Sequence, residues 1–242
     1  GYPNFVGCVT DVKAIADLAH SKGALLVTAT AEPYAMALLE PPGALGADIA
    51  VGEGQALGLS PQNGGPGCGL FATRDAREFI QNIPGRLCGE TIDKNGQRGY
   101  VLTLSTREQH IRRDRATSNI CTNHALCALA ITIRACLLGK KGFVEVAKQC
   151  LAKAEYLKKA LVATGTWELP YAAPTFNEFV VRRKGGPVAP IVAKLAKDGI
   201  LAGIELSRFD GATVTKHASD LLVCTTERHS RADLDRLVAA LS

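Results

Sequence analysis

Short apolar runs that alternate with helical patterns constrain the fold of this chain more than any other feature. Residues 24–30 and 47–52 are almost continuously apolar, which is typical of strands buried on both faces of a sheet. Residues 11–22 precede the first run and place their apolar side chains on one helical face, with Thr10 or Asp11 as the N-cap. The alternation of helix and strand predicts an α/β fold with a mostly parallel or mixed sheet.

The same patterns continue along the chain and predict its organisation. A third strand is predicted at 67–73, and two strands at 86–91 and 100–103 flank the hairpin signal Asn95-Gly96. A helix at 120–138 is apolar nearly all round, as expected for one buried between subunits or domains. The later elements are predicted as a helix at 143–163, a strand at 176–182, a helix at 187–198, a strand at 221–225 and a helix at 230–241.

Composition limits the class of protein. Apolar residues make up 47% of the 242 residues and the net charge is +5, which excludes a disordered chain. No apolar run reaches the roughly 18 residues of a membrane span, so we expect a soluble protein without membrane contact. Aromatic residues make up only 5%, and bases stack on aromatic side chains, so nucleic acid is not an expected partner.

The eight cysteines do not indicate a disulfide framework or a metal site. The sequence contains no CxxC pair, and its five histidines have no ligand spacing with the cysteines, so we expect no structural metal. Three of the cysteines, Cys121, Cys127 and Cys136, fall within one helical pattern, where cysteine usually serves as a small buried hydrophobe. This usage favours a reducing compartment, the cytoplasm.

Two stretches are candidates for function. The loop 52–67 is rich in glycine, so its backbone either turns tightly or approaches another group closely, but it has neither the P-loop nor the dinucleotide-binding pattern. The stretch 107–115 is strongly basic, and directly after it Thr117, Ser118 and Asn119 cap the long apolar helix. Hydroxyl and free N–H groups at a helix N-terminus form an anion site, although simple capping explains the same residues.

Several motifs together resemble one family. They are GADIAVGEGQ at 46–55, PGR at 84–86, TREQHIRR at 106–113, ATSNICTN at 116–123 and FNEFVV at 176–181. These stretches are similar to subunit 1, the α-type chain, of the decarboxylating glycine dehydrogenase family, the P-protein of the glycine cleavage system. The resemblance covers essentially the whole chain, which starts without Met, so we expect it to be the C-terminal part of such a subunit.

The resemblance implies an aminotransferase-like fold, that of fold type I pyridoxal-phosphate enzymes. Residues 1–140 would form the C-terminal part of the large domain, and residues 141–242 the connecting helix and a small C-terminal domain. The implied reaction converts glycine and the lipoyl H-protein to aminomethyl-H-protein and CO2. The implied partners are P-protein subunit 2, which is the catalytic chain, and the lipoyl H-protein; a separate α-type chain suggests a prokaryotic cytoplasm.

The chain lacks the lysine that holds pyridoxal phosphate in the catalytic chain. No lysine occurs between Lys22 and Lys94, and Ala56 stands near the expected position. The family's α-type chains share this loss, so the resemblance implies that the partner subunit holds the cofactor covalently and that this chain alone is inactive. Glu32 stands near the position of the acid that pairs with the pyridine nitrogen, and it has no assigned duty here.

The resemblance also suggests roles for individual residues. Thr117, Ser118 and Asn119 would contact the cofactor phosphate from across the subunit interface. The candidates for the substrate or carrier path are Arg107, His110, Arg112, Arg113, Glu53 and Gln55. The basic residues could instead hold the interface between the subunits or form a solvated or salt-bridged face. Glu53 and Gln55 would border the pocket left without its lysine, and hydrogen bonding within their own loop is the favoured alternative for them. Two alternatives remain: a purely structural subunit without ligand contact, and a less favoured autonomous pyridoxal enzyme.

Overall fold

Three sheets and one long helix organise the chain in this computed structural model, which describes residues 1–83, 87–103, 109–116, 123–209 and 217–242. The helices are α1 (Val12–Ser21), α2 (Arg77–Asn82), α3 (Gln109–Arg112), α4 (Ala125–Ala163), α5 (Ala189–Lys197) and α6 (Arg231–Leu241). The strands are β1 (Val27–Thr30), β2 (Ile49–Glu53), β3 (Gly69–Thr73), β4 (Leu87–Ile92), β5 (Arg98–Thr103), β6 (Trp167–Glu168), β7 (Glu178–Arg183), β8 (Ile204–Glu205) and β9 (Asp220–Cys224). Short 3₁₀ helices lie at Pro33–Ala37, Gln55–Leu57, Arg113–Arg115 and Leu206–Arg208.

The first sheet is mixed, as the sequence predicts. Its order is β1-β2-β3, with β2 parallel to β1 and antiparallel to β3. The expectation that these strands are buried on both faces is wrong for the described chain, since Val27 is 54% and Phe71 50% exposed whereas Thr28 and Thr30 are buried. An apolar run marks a strand that needs two covering layers, and the described residues cover mainly one face.

A buried carboxylate joins α1 to this sheet. Asp48 is 1% exposed and accepts the N–H of Leu26 at 2.6 Å. His20 Nε2 lies 2.9 Å from Asp48 Oδ2, and Arg74 Nε lies 2.9 Å from Oδ1. Burial alone would raise the pKa of Asp48, but these hydrogen bonds and the positive charge of Arg74 hold it below its ordinary value. Asp48 therefore anchors three segments at once.

Helix α1 and the hairpin follow their sequence signals. The Asp11 side chain caps α1 by accepting the N–H of Ala14 at 3.0 Å. The hairpin β4–β5 is antiparallel, and the Asp93 side chain accepts the N–H groups of Asn95 and Gln97 in its turn. Gly96 has a φ of +78° there, a conformation that glycine adopts at little cost.

The second large sheet forms the best-packed part of the chain. Its order is β6-β7-β9-β8, all antiparallel, and α4, α5 and α6 pack against it. Trp167 is fully buried and donates its indole N–H to the Leu241 carbonyl at 2.9 Å. Arg182 forms a two-pronged pair with buried Asp220 at 2.6 and 2.9 Å. The strands β6 and β8 have two residues each and were missed from sequence.

Helix α4 links the two large sheets and is interrupted at Gly139, which has a φ of +59°. Its second part packs into the core, but the first part presents an apolar stripe to solvent, with Leu126 79% and Leu137 81% exposed. The burial of this stripe between subunits or domains stays a prediction, as does the domain boundary near residue 140. None of the helices in the described ranges has the length and apolar character to cross a membrane.

Candidate functional site

The glycine-rich loop after β2 is held by a carboxylate at the end of that strand. Glu53 Oε1 accepts the N–H groups of Gln55 at 2.8 Å and Cys68 at 2.9 Å. The Gln55 side chain donates to the Pro66 carbonyl at 3.4 Å. Glu53 and Gln55 therefore both hold the loop closed through hydrogen bonds within it. Their contact with a ligand or carrier stays a prediction.

Two glycines of the loop are required by helix α4. A Cβ atom at Gly54 would lie 2.9 Å from the Cys68 carbonyl oxygen and 3.0 Å from the Ile131 side chain. A Cβ atom at Gly58, whose φ is +145°, would lie 3.0 Å from the Arg134 Cβ. The glycines therefore permit a close approach of backbone to helix, which explains this part of the glycine-rich pattern without a bound phosphate.

Glu32 is engaged by the protein itself. Its side chain caps the 3₁₀ helix Pro33–Ala37, with Oε1 accepting the Tyr34 N–H at 3.0 Å. Its other oxygen accepts the Asn177 amide at 3.4 Å, across 145 positions of sequence. Burial raises the pKa of Glu32, and the two hydrogen bonds lower it in part. Both carboxylate oxygens are therefore used in joining the end of β1 to the segment that leads into β7.

Acids and thiols surround this contact. Burial, and then the charge of Glu32, raises the pKa of Glu178. Burial also raises the pKa of Cys150 to about 11 and, with the carboxylates of Glu178 and Glu32, that of Cys224 to about 12. Since the thiolate is the nucleophile, a raised pKa disfavours covalent chemistry at these two thiols. In the parts of the chain that the structure describes, no group of His, Cys, Asp or Glu could hold a metal ion.

Most of the predicted anion-site and carrier-path residues lie outside the described residues. They are Arg107, Thr117, Ser118 and Asn119, together with the side chain of His110. Arg112 ends α3, Arg113 follows it with a φ of +54°, and both are exposed. The exposed position of these two arginines suits the approach of an anionic partner, and their role stays a prediction.

Two buried polar residues, Asn177 and Lys158, are not among the site residues predicted from sequence; Asn177 stands only within the FNEFVV motif. Asn177 is 3% and Lys158 8% exposed, so both are polar side chains held inside the protein. The available sequence signal for Asn177 was its position directly before Glu178 and an apolar strand. Lys158 lies on an amphipathic stretch of α4, where a lysine normally faces solvent, so the sequence offered no signal for it.

The two large sheets and the connecting helix define the class of this chain as the aminotransferase-like fold of fold type I pyridoxal-phosphate enzymes. A NifS-like protein from Rickettsia africae superposes with a TM-score of 0.63 at 12% identity, over 97% of this chain and 57% of that one. An archaeal O-phosphoseryl-tRNA(Sec) selenium transferase superposes with a TM-score of 0.60 at 15% identity, over 96% and 47%. These likenesses concern the fold alone.

The family follows from closer comparisons, since residues 1–241 match the family described as Glycine cleavage system P-protein. A probable glycine dehydrogenase (decarboxylating) subunit 1 from Sorangium cellulosum is 62% identical over all 242 residues, which make up 52% of its length. The crystal structure of a glycine decarboxylase (P-protein) of the glycine cleavage system, in inhibitor-bound form, superposes with a TM-score of 0.81 at 40% identity, over 99% of this chain and 52% of that one. The chain belongs to the P-protein family, and it spans about half the length of the relatives it matches.

Proposed function

We propose that this chain is part of subunit 1 of a cytoplasmic glycine decarboxylase complex. The complex would convert glycine and the lipoyl H-protein to aminomethyl-H-protein and CO2. In this proposal, P-protein subunit 2 holds pyridoxal phosphate covalently, and the present chain completes the partner's site and shapes the path of the lipoyl arm. The observation that carries the proposal is the family match over residues 1–241, combined with a loop that has no lysine.

The residues of this chain do not fit a covalently held pyridoxal phosphate of its own. No lysine occurs between Lys22 and Lys94, and the exposed residue near the expected position is Ala56. The acid near the expected ring contact, Glu32, already accepts hydrogen bonds from Tyr34 and Asn177. Because the cofactor serves as the electron sink in such decarboxylations, that step belongs to the partner subunit.

The proposed contributions of this chain are binding and positioning. Thr117, Ser118 and Asn119 begin a helical pattern, and N–H groups at such a helix start would bind the cofactor phosphate of the partner's site. Arg107, His110, Arg112 and Arg113 would attract the acidic carrier protein, because clustered cations speed the association of an oppositely charged partner. Glu53 and Gln55 would keep the glycine-rich loop closed and so fix the border of the path along which the substrate or the carrier approaches.

The direct test is cofactor attachment. The purified chain is mixed with pyridoxal phosphate, reduced with borohydride, and its intact mass is measured. We expect no retained adduct at a unique lysine, and we expect the catalytic partner, treated in the same way, to retain one. A stoichiometric adduct at one lysine of this chain would overturn the assignment as the subunit without a Schiff-base lysine and would favour an enzyme active by itself.

A purely structural subunit is the second candidate, favoured by the observation that Glu32, Glu53 and Gln55 all engage in internal contacts. Thr117→Val in the assembled complex separates the two candidates, because valine keeps the volume and removes the hydroxyl. A weaker affinity of the complex for pyridoxal phosphate supports the contact with the phosphate. An unchanged affinity supports the structural subunit.

A further inference from the structure

A cavity lies at one end of the second large sheet, between β7, β9, the loop before β8 and helix α6. Its volume is about 450 Å³, which is within the range of small-molecule sites. The apolar part of its wall consists of branched aliphatic side chains, among them Leu157, Ile204, Leu222, Leu234 and Leu237. Leu157, Leu222 and Leu234 are buried, so part of the wall belongs to the packed core around this sheet. None of the described residues that line the cavity has a role in the function proposed above.

Glu178 lines this cavity with a half-buried carboxylate that has no partner. It begins β7 and pairs in register with Cys224 of β9, another residue of the wall. Among the described residues, no group donates a hydrogen bond to the Glu178 side chain and no cation forms an ion pair with it. Burial and the charge of Glu32 both raise the pKa of Glu178, because both disfavour its charged form. A cationic group in the cavity would supply the missing partner.

The ionisable groups on the α6 side of the cavity are engaged or exposed. The Asp233 carboxylate accepts the Ser230 N–H at 2.8 Å, and His229 Nδ1 accepts the Thr226 N–H at 3.0 Å. Arg236 lies on the exposed surface of α6, where water weakens its attraction for an anion. The carboxylate of β7, which is more buried, therefore determines the charge of the ligand that the cavity prefers.

We propose that this cavity binds a protonated amine with a small apolar body, and that the ammonium group of the ligand pairs with the Glu178 carboxylate. The ammonium group would donate a charge-assisted hydrogen bond, which is stronger than one between neutral groups. The apolar body would lie against Leu157, Leu222 and Leu237. An anionic ligand would be repelled by Glu178 and Glu32, and a neutral ligand would leave the half-buried charge of Glu178 unpaired.

Ligand binding to the natural full-length subunit, purified in its assembled complex, tests this proposal. The probe is N,N-dimethylcyclohexylamine, a tertiary amine that forms no Schiff base with pyridoxal phosphate, so the result does not depend on the proposed function. Isothermal titration calorimetry measures its affinity at pH 7.5, where the amine is protonated, and cyclohexanol is the uncharged probe with the same ring. Glu178→Gln removes the charge and keeps the size of the side chain. The matched control is Glu168→Gln, at an exposed glutamate of β6 in the same sheet, outside the cavity.

We expect the amine to bind at least about tenfold more tightly than cyclohexanol, because a hydrogen bond to a charged group contributes enough free energy for that factor. Glu178→Gln should weaken the binding of the amine by a similar factor, and Glu168→Gln should leave it unchanged. A second variant, Ile204→Trp, fills the cavity from β8 while it keeps Glu178, and it should also weaken binding. Failure of the amine to bind, or an affinity that neither Glu178→Gln nor Ile204→Trp changes, would overturn the proposal. So would an equal loss of affinity in Glu178→Gln and in the control.

Discussion

The side-chain amide of Asn177 donates to the carboxylate of Glu32 at 3.4 Å and so joins two segments that are 145 residues apart. The backbone carbonyl of Asn177 also forms a hydrogen bond, since it accepts the Thr225 N–H at 2.9 Å. Asn177 is 3% exposed. Its side chain therefore connects the end of β1 to the sheet that contains β7 and β9, at the place where the sequence suggested a ligand-binding acid.

Replacement of Asn177 by alanine should destabilise the protein in a pH-dependent manner. The variant leaves a partly buried Glu32 oxygen without its donor, which costs about 1–3 kcal/mol. The hydrogen bond from Asn177 stabilises the charged form of Glu32 more than the neutral form. Its removal should therefore lower the free energy of unfolding more at pH 7.5 than at pH 4.5. Urea unfolding followed by the single tryptophan, Trp167, measures the effect. Asn82→Ala, at an exposed asparagine, is the control, and an equal loss in both variants would contradict the assignment.

Replacement of Glu178 by glutamine should stabilise the protein at neutral and alkaline pH. Burial and the charge of Glu32 raise the pKa of Glu178 above its ordinary value of 4.5, so the folded state holds this proton more tightly than the unfolded state. The contribution of the group to stability is complete below pH 4.5 and is lost as the pH rises through the raised pKa. The gain from Glu178→Gln should therefore grow between pH 4 and pH 8 in denaturant titrations. A gain that is constant with pH would contradict this account.

Asp48 should show the opposite pH dependence. Its lowered pKa means that its contribution is complete above the ordinary value of 3.8 and is lost as the pH falls through the lowered value. Asp48→Asn should cost about 1.5–3 kcal/mol at pH 7, typical of hydrogen bonds to a charged group, and less in strong acid. The control is Asp17→Asn, which removes an exposed pair with Lys13 and should cost less than about 1 kcal/mol. Equal costs at pH 7 would show that the Asp48 contacts contribute little.

The apolar stripe of α4 should matter for assembly. Leu137 is 81% exposed in this chain. A charge at this position changes the free energy of unfolding little if the surface stays in water, but it weakens association strongly if another chain covers the surface. If the proposed catalytic partner subunit covers this stripe, Leu137→Glu weakens the association of the two subunits, measured by analytical ultracentrifugation of their mixture. Leu201→Glu, at an equally exposed position, should leave association unchanged. Intact association in both variants would place the interface elsewhere.

Local signals in the sequence were sufficient for the elements that they specify. The cap at Asp11 and the hairpin turn around Gly96 both form as predicted. Each depends on hydrogen bonds between residues at most a few positions apart, so a short window of sequence contains the whole interaction. The two-residue strands β6 and β8 were missed because they exist only through pairing with β7 and β9.

The candidate site was predictable only in part. The absence of a lysine near Ala56 and the family motifs were visible in the sequence, because covalent chemistry needs a specific residue type. The contacts that Glu32 and Glu53 make were not visible in the sequence, because each accepts a hydrogen bond from a distant residue, Asn177 and Cys68 respectively. A carboxylate near a catalytic position looks the same in sequence whether it faces a ligand or the protein's own backbone.

The sequence by itself determined the class of fold, the order of the main helices and strands, and the absence of a lysine between Lys22 and Lys94. Only the tertiary structure decided which hydrogen-bond partners Glu32 and Glu53 have, that Lys158 is buried, and that β1 is open on one face and β3 on both. The physical reason is distance along the chain. Periodicity and residue type are local properties, whereas burial and the choice of hydrogen-bond partner depend on residues that meet only after folding.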